Sequence, residues 1–307
     1  MSYIYEALLR AERERQSQPS APDDREAAPP PNPGTLPGPP EEFDADSAPI
    51  AQHEWSLFIP SFPTLAKHGR GLEQFRSLRS HIYQARNETP LKTILVSSGM
   101  PSEGKSFVTA NLAMSLARNS NNRILLIDGD LRRPSLHHLL GAPNDIGLSD
   151  YLAGNAELHA IMQRCSDSQA LGGNGIPDVA KLTFVPTGSL HGNASELITN
   201  RRIKELISAV SASFDWILID SPPALVFADA VDLARAADAV LLVVRGAQTT
   251  YEVAQRAKSS FSNSNILGVV LNDIKNPPRR ESYYDYYYYG KKAPKETAAP
   301  ESEQDTQ

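Results

Sequence analysis

The chain has 307 residues, 40% of them hydrophobic, enough for one domain of about 200 residues plus tails. Thirty basic against 36 acidic side chains leave a formal charge of −6, so no broad positive field is available for nucleic acid or an anionic membrane surface. The only thiol, Cys165, excludes an intramolecular disulfide and fits a reducing compartment; no apolar run approaches the roughly 20 residues of a membrane span, and Met1–Arg15 is too charged for a secretory leader.

Residues 3–15 (Tyr3, Ile4, Tyr5, Ala7, Leu8, Leu9, then Arg and Glu) read as a short amphipathic helix. At that length it either docks on a partner, which supplies the missing burial, or stays a frayed end. Residues 16–50 hold ten of the 24 prolines, with Pro29, Pro30 and Pro31 consecutive, and predict an extended, semi-rigid spacer. The linker is taken to residue 63, and a domain is expected over residues 64–275. At its start Leu72, Phe75, Leu78 and Ile82 form a helical stripe that can hold a helix on the domain. Glu73, Arg76 and Arg79 lie beside the stripe near one face.

Beyond this helix, short apolar runs alternate with amphipathic stretches. Thr93–Ser98, Arg123–Asp128, Leu182–Pro186, Trp216–Asp220, Ala239–Val244 and Ile266–Leu271 read as strands buried on both faces. Helical patterns lie between them at Lys105–Arg118, Ala194–Ser211 and Asp229–Ala237, and Ser166–Lys181 reads as a surface loop. This alternation predicts an α/β fold, a mostly parallel sheet with helices on both faces. The N-terminal linker and a tail over residues 276–307 are expected to be disordered.

Gly99-Met100-Pro101-Ser102-Glu103-Gly104-Lys105-Ser106 fits G-x-x-x-x-G-K-S between a buried strand and a helix, the context that a phosphate-binding loop requires. The glycines let backbone amides curl around a phosphate, and the helix N-terminus adds a favourable dipole. Lys105 is expected on the β- and γ-phosphates of ATP and Ser106 on Mg²⁺; Phe107 completes the nucleotide-binding segment. Two further strands end in carboxylates, at Asp128-Gly129-Asp130-Leu131-Arg132-Arg133-Pro134 and at Asp220-Ser221-Pro222-Pro223. Ligands of open parallel sheets sit beyond the carboxyl ends of the strands, so Asp128, Asp130 and Asp220 are expected to converge there on metal and water. No zinc-type Cys/His spacing and no G-x-S-x-G element is present.

The D-x-D-x-R-x-P motif after the phosphate loop resembles the Walker A′ element of the bacterial tyrosine kinases, and the likeness runs over roughly residues 70–290. It implies a P-loop domain akin to the cell-division-site and plasmid-partition ATPases. The second lysine that those relatives carry at the start of the loop is replaced here by Met100-Pro101, which suits the kinases. The resemblance implies that Glu73, Arg76 and Arg79, as E-x-x-R-x-x-R, serve oligomerisation into a homo-oligomeric ring. It places Asn272, at the end of the last strand, near adenine. Tyr283, Tyr284, Tyr286, Tyr287, Tyr288 and Tyr289, six of the chain's eleven tyrosines, become the substrate, phosphorylated in trans. Several phosphates of about −1.5 to −2 charges each would repel one another and loosen such a ring.

Phosphoryl transfer then assigns Lys105 to the phosphates, Ser106 directly to Mg²⁺, Asp130 and Asp220 to the metal directly or through water, and Asp128 to the tyrosine proton. The three aspartate roles remain interchangeable at this level. The family further implies control of capsule or exopolysaccharide polymerisation and export. It also implies a separate transmembrane chain-length regulator as activator, a phosphotyrosine phosphatase as counterpart, and a cytoplasmic location with indirect membrane contact. The segment Tyr3–Arg15 resembles the start of kinases encoded with exosortase-type export systems. The alternative reading is a partition-like ATPase switch whose tyrosines are never modified.

Overall fold

Each predicted strand forms, and five of the six are buried on both faces; Ile266–Leu271 lies at the sheet edge and exposes Val269 and Leu271, so the burial expected of it is not found. The computed structural model describes residues 43–66, 68–118, 122–166, 181–189, 194–199 and 201–274. Residues 1–15, most of the proline-rich spacer and the tyrosine cluster lie outside the described residues. The strands are β1 (Ala51–His53), β2 (Thr93–Ser98), β3 (Ile124–Asp128), β4 (Gln163–Cys165), β5 (Leu182–Val185), β6 (Trp216–Asp220), β7 (Ala239–Arg245) and β8 (Ile266–Asn272), in sheet order β1-β4-β5-β3-β6-β2-β7-β8. Every described pairing is parallel except that of β4 with β5. Along the central strands alternate residues enter opposite cores: Ile94, Val96, Ile124, Leu126, Trp216 and Leu218 face one side, Leu95, Leu125, Ile127, Ile217 and Ile219 the other. With both faces buried, the near-continuous Ile/Leu/Val runs are what period-two alternation requires.

The first face is covered by α1 (Arg70–Glu88) and α2 (Lys105–Ala117), with the short α3 (Leu136–Leu140). The second carries α4 (Leu148–Ala153), α5 (Ala194–Thr199), α6 (Arg202–Val210), α7 (Asp229–Ala234) and α8 (Tyr251–Ser260). In α1, Leu72, Phe75 and Ile82 are buried and Leu78 packs against the same core, as the stripe predicted. Helix α2 is buried from Val108 to Ala117, wedged between the sheet and α1.

Two expected helices differ from their sequence reading. Ala194–Ser211 divides into α5 and α6, because Ile198 and Ile203 enter the same core. They stand five residues apart, and a continuous helix would turn one of them away. Asp229–Ala237 ends at Ala234, where Ala236 and Ala237 tighten onto the carbonyls of Leu233 and Ala234.

The linker boundary also moves. Residues 43–63, assigned by composition to the spacer, wrap the sheet edge. Phe43 and Ala45 join one core, β1 pairs with β4, and Trp55, Leu57 and Phe62 join the other. Trp55 is 2% exposed, meets Phe184 edge-on at 6.1 Å and donates its Nε1–H to Gln163 Oε1 at 3.2 Å. Trp55→Ala is therefore expected to cost about 3–5 kcal/mol of folding stability, read as a lower denaturant midpoint. An unchanged midpoint would return this segment to the linker.

Candidate active site

Strand order decides which motifs meet. Because β6 lies between β3 and β2, Asp220 at the end of β6 is in register with Asp128 at the end of β3 and with Val96 of β2. The loop that follows β2 therefore opens beside both acidic motifs. Gly104 holds φ +91°, and α2 begins at the next residue. The first amide of α2 to reach a helical carbonyl is that of Val108, on Gly104 O at 2.9 Å. The amides of Lys105, Ser106 and Phe107 have no carbonyl one turn back to reach, so they present donors and a positive dipole end to an anion.

Around this end the predicted side chains converge. Lys105 Nζ lies 2.9 Å from Asp130 Oδ2 and 3.9 Å from Asp220 Oδ2. Ser106 Oγ donates to Asp220 Oδ2 at 2.5 Å, and Thr109 Oγ1, which donates to Lys105 O at 2.8 Å, also lies 3.3 Å from Asp220 Oδ1. Gly129 joins the two acidic strand ends: its amide donates to Asp220 O at 2.9 Å, and a Cβ there would stand 2.7 Å from that oxygen. Asp128 and Asp220 are fully buried. Burial lowers Lys105, but the carboxylates of Asp220 and Asp130 outweigh it and hold the ammonium above its ordinary range. Burial raises Asp220, against the pull of Lys105. Burial, with the charge of Asp220 added, pushes Asp128 up to about 8.

Asp128 differs in setting from the reading that gave it the substrate proton. Its Oδ1 accepts the Asp130 amide at 3.3 Å and its Oδ2 those of Ser135 and Leu136, each at 3.1 Å. Those three bonds make it the organiser of the loop that carries Asp130. Asn272 donates its Nδ2–H to Glu103 O at 3.0 Å, against the phosphate loop itself. The Phe107 ring packs edge-on against Phe75 of α1 at 6.0 Å, so it faces the core. Met100 is 43% exposed at the loop's rim. On α1, Arg76 Nη1 pairs with Glu73 at 2.8 Å on an exposed face, while Arg79 Nη1 donates to Ser115 O of α2 at 2.6 Å.

Thr109 carries no motif, and Arg132, the arginine of D-x-D-x-R-x-P, takes a partner outside it. Thr109 lies four residues after Lys105, a helical spacing that could have marked it as facing the same strand ends. Arg132 binds Asp229 through Nε at 2.7 Å and covers the Phe227 ring at 4.3 Å, tying the loop after β3 to the one after β6. Nothing in the local sequence identifies that partner.

The oxygen set suits Mg²⁺. Among the described residues no three His, Cys, Asp or Glu side chains close a cage of their own. Mg²⁺ does not need one, since it is held by one or two carboxylates with substrate phosphates and water. Ser106 Oγ beside Asp220 at the start of α2 meets that requirement.

A family profile described as an AAA domain matches residues 91–258. The chain is 36% identical over 220 residues to the tyrosine-protein kinase wzc of Salmonella typhimurium, an overlap of 71% of this chain and 28% of that one. It is 31% identical over 222 residues to the tyrosine-protein kinase YwqD of Bacillus subtilis, covering 72% of this chain and 86% of that one. The chain thus spans under a third of the first relative and most of the second. Among solved structures, the kinase domain of the Escherichia coli tyrosine kinase ETK superposes with a TM-score of 0.63 at 26% identity, over 78% of this chain and 95% of that one.

Proposed function

The chain belongs to the bacterial tyrosine-kinase family of AAA-domain P-loop proteins, and on that footing we propose that it is an ATP-dependent autokinase whose substrate is its own C-terminal tyrosine cluster. The observation that carries the proposal is the convergence of Lys105, Ser106, Asp130 and Asp220 at the N-terminus of α2. The amides of residues 103–107 receive the phosphates of ATP. Lys105 leaves Asp130 for the β- and γ-phosphates, which frees a carboxylate as the anion arrives. Ser106, Asp220 and Asp130 hold Mg²⁺, which when bound offsets charge on the transferring phosphoryl group. The incoming tyrosine hydroxyl, ordinarily near 10, must lose its proton. That proton goes to the aspartate cluster of Asp128, Asp130 and Asp220. Asn272 flanks the adenine side of the site.

The acceptors are Tyr283, Tyr284, Tyr286, Tyr287, Tyr288 and Tyr289 of another copy, brought close in a ring that Glu73, Arg76 and Arg79 help to build. Domain limits follow: a partner-docking element at 1–15, a linker to about residue 42, a kinase domain from 43 to about 275, and the substrate tail at 276–307. Control of capsule or exopolysaccharide polymerisation and export is the proposed role, at the inner face of the cytoplasmic membrane. A transmembrane chain-length regulator activates it there, and a phosphotyrosine phosphatase opposes it. No helix among the described residues is long and apolar enough to cross a membrane.

The test is mass spectrometry of the peptide Glu281–Gly290 after incubation with ATP and Mg²⁺, with wild type beside Lys105→Met. Several phosphotyrosines in wild type and none in the variant are expected. ATP hydrolysis with an unmodified tail, even with regulator segments added, would replace the kinase with an ATPase switch.

A further inference from the structure

The phosphate loop carries an acid, Glu103, at a place where a phosphate must approach, and its side chain is 97% withdrawn from solvent, being 3% exposed. Its two oxygens reach in opposite directions. Oε2 accepts the Met100 amide at 2.7 Å, three residues back, while Oε1 accepts the hydroxyl of Thr249, just before α8. Thr249 Oγ1 in turn accepts the backbone amide of Arg245 at 3.3 Å, at the end of β7. Two further contacts come from the same side. Arg245 Nη1 donates to Ser102 O at 3.3 Å, with its guanidinium fixed by Asp273 at 2.8 Å, and Asn272 Nδ2 donates to Glu103 O at 3.0 Å.

These contacts have a directional consequence. A trans peptide is planar, so a carbonyl and the amide of the following residue point opposite ways. Holding the carbonyls of Ser102 and Glu103 toward the β7–β8 side turns the amides of Glu103 and Gly104 the other way, away from β7 and β8. The Met100 amide, taken by Glu103, is removed from that set. Ser102 is kept at φ +63°, a left-handed value uncommon outside glycine, which needs such external support.

We propose that Glu103 is a positioning residue that, through Thr249, clamps the phosphate loop to the end of β7 and aims its amides, and that it does not itself bind phosphate. The assignment rests on the nucleotide-binding reading above. The clamp acts before any phosphate arrives, so the loop is preorganised and binds without the cost of ordering itself. It acts on ground and transition states alike, so its loss falls on affinity more than on turnover.

The experiment is calorimetric titration of the full chain with Mg·ATP, paired with the rate of phosphate transfer at saturating ATP. Glu103→Ala is expected to raise the Kd about tenfold or more, as the loss of a buried acceptor of two hydrogen bonds does. Thr249→Val should raise it about threefold, with the saturated rate within about threefold of wild type in both. Glu103→Gln can still accept from Met100 and can donate to Thr249 Oγ1, and should recover most of the lost affinity. Wild-type affinity in Glu103→Ala, or in Thr249→Val if the alanine variant does not fold, overturns the clamp. So does a loss that falls on the saturated rate while Kd holds. Tight Mg·ATP binding by a wild-type chain that makes no phosphotyrosine would defeat the kinase reading and leave the clamp standing.

Discussion

Asp220→Asn is expected to slow phosphoryl transfer at least about a thousandfold while leaving the nucleotide-free fold no less stable at pH 8 than wild type. The two halves have one cause. Asp220 is fully buried at the end of β6, where it takes the hydroxyl of Ser106, lies 3.3 Å from that of Thr109 and faces Lys105 at 3.9 Å. Its charge is what Mg²⁺ would require if bound beside Ser106, and asparagine lacks it. Without nucleotide that same charge is expensive: burial raises the carboxyl above its ordinary range. A carboxyl raised by folding binds its proton more tightly in the folded chain. Stability is therefore lost as pH climbs from the unfolded value near 3.9 up through the folded one. Asparagine removes that dependence, and Lys105 keeps Asp130 at 2.9 Å as partner. The melting temperature of the variant relative to wild type should rise between pH 4, near the unfolded value, and pH 8. Near-wild-type phosphotyrosine yield would remove Asp220 from the machinery. A melting temperature that drops at both pH values would mean that its hydrogen bonds outweigh its buried charge.

The parts of this protein that were legible in the sequence are those where one local pattern meets one constraint. Strands β2 and β6 match their predicted limits because a strand buried on both faces leaves little choice but Ile, Leu and Val. The phosphate loop and the stripe on α1 are similarly local. What was not legible depends on strand order and distance. β1 and β4 are three residues long at the sheet edge, too short for any periodicity, so Ala51–His53 passed as linker. The register that pairs Asp128 with Asp220 exists only because β3 and β6 are neighbours, which a separation of 92 positions conceals. That register also buries Asp128, whose oxygens are taken by loop amides, a setting no motif announces. The Glu103–Thr249 bond spans 146 positions, and its donor is an ordinary threonine in a turn.

Gly104→Ala is expected to abolish measurable Mg·ATP binding, a loss of a hundredfold or more. Two independent costs fall on this methyl group. Gly104 sits at φ +91°, where an L side chain is strained, at about 1–2 kcal/mol. Its Cβ would also stand 2.1 Å from Asn272 Nδ2 and 3.3 Å from Asn272 Cγ. Either the loop shifts, misaligning the amides at the start of α2, or Asn272 swings away and releases the carbonyl of Glu103. Both routes disorder the phosphate cradle while the sheet below is untouched, so the melting temperature without nucleotide should fall only modestly. A double-mutant cycle with Asn272→Ala separates the two costs. If the clash dominates, the double variant binds more tightly than Gly104→Ala alone; if backbone strain dominates, the second substitution recovers nothing. Wild-type affinity in Gly104→Ala would mean that the loop takes another shape when phosphate binds, and that the amides before α2 are not aimed in advance.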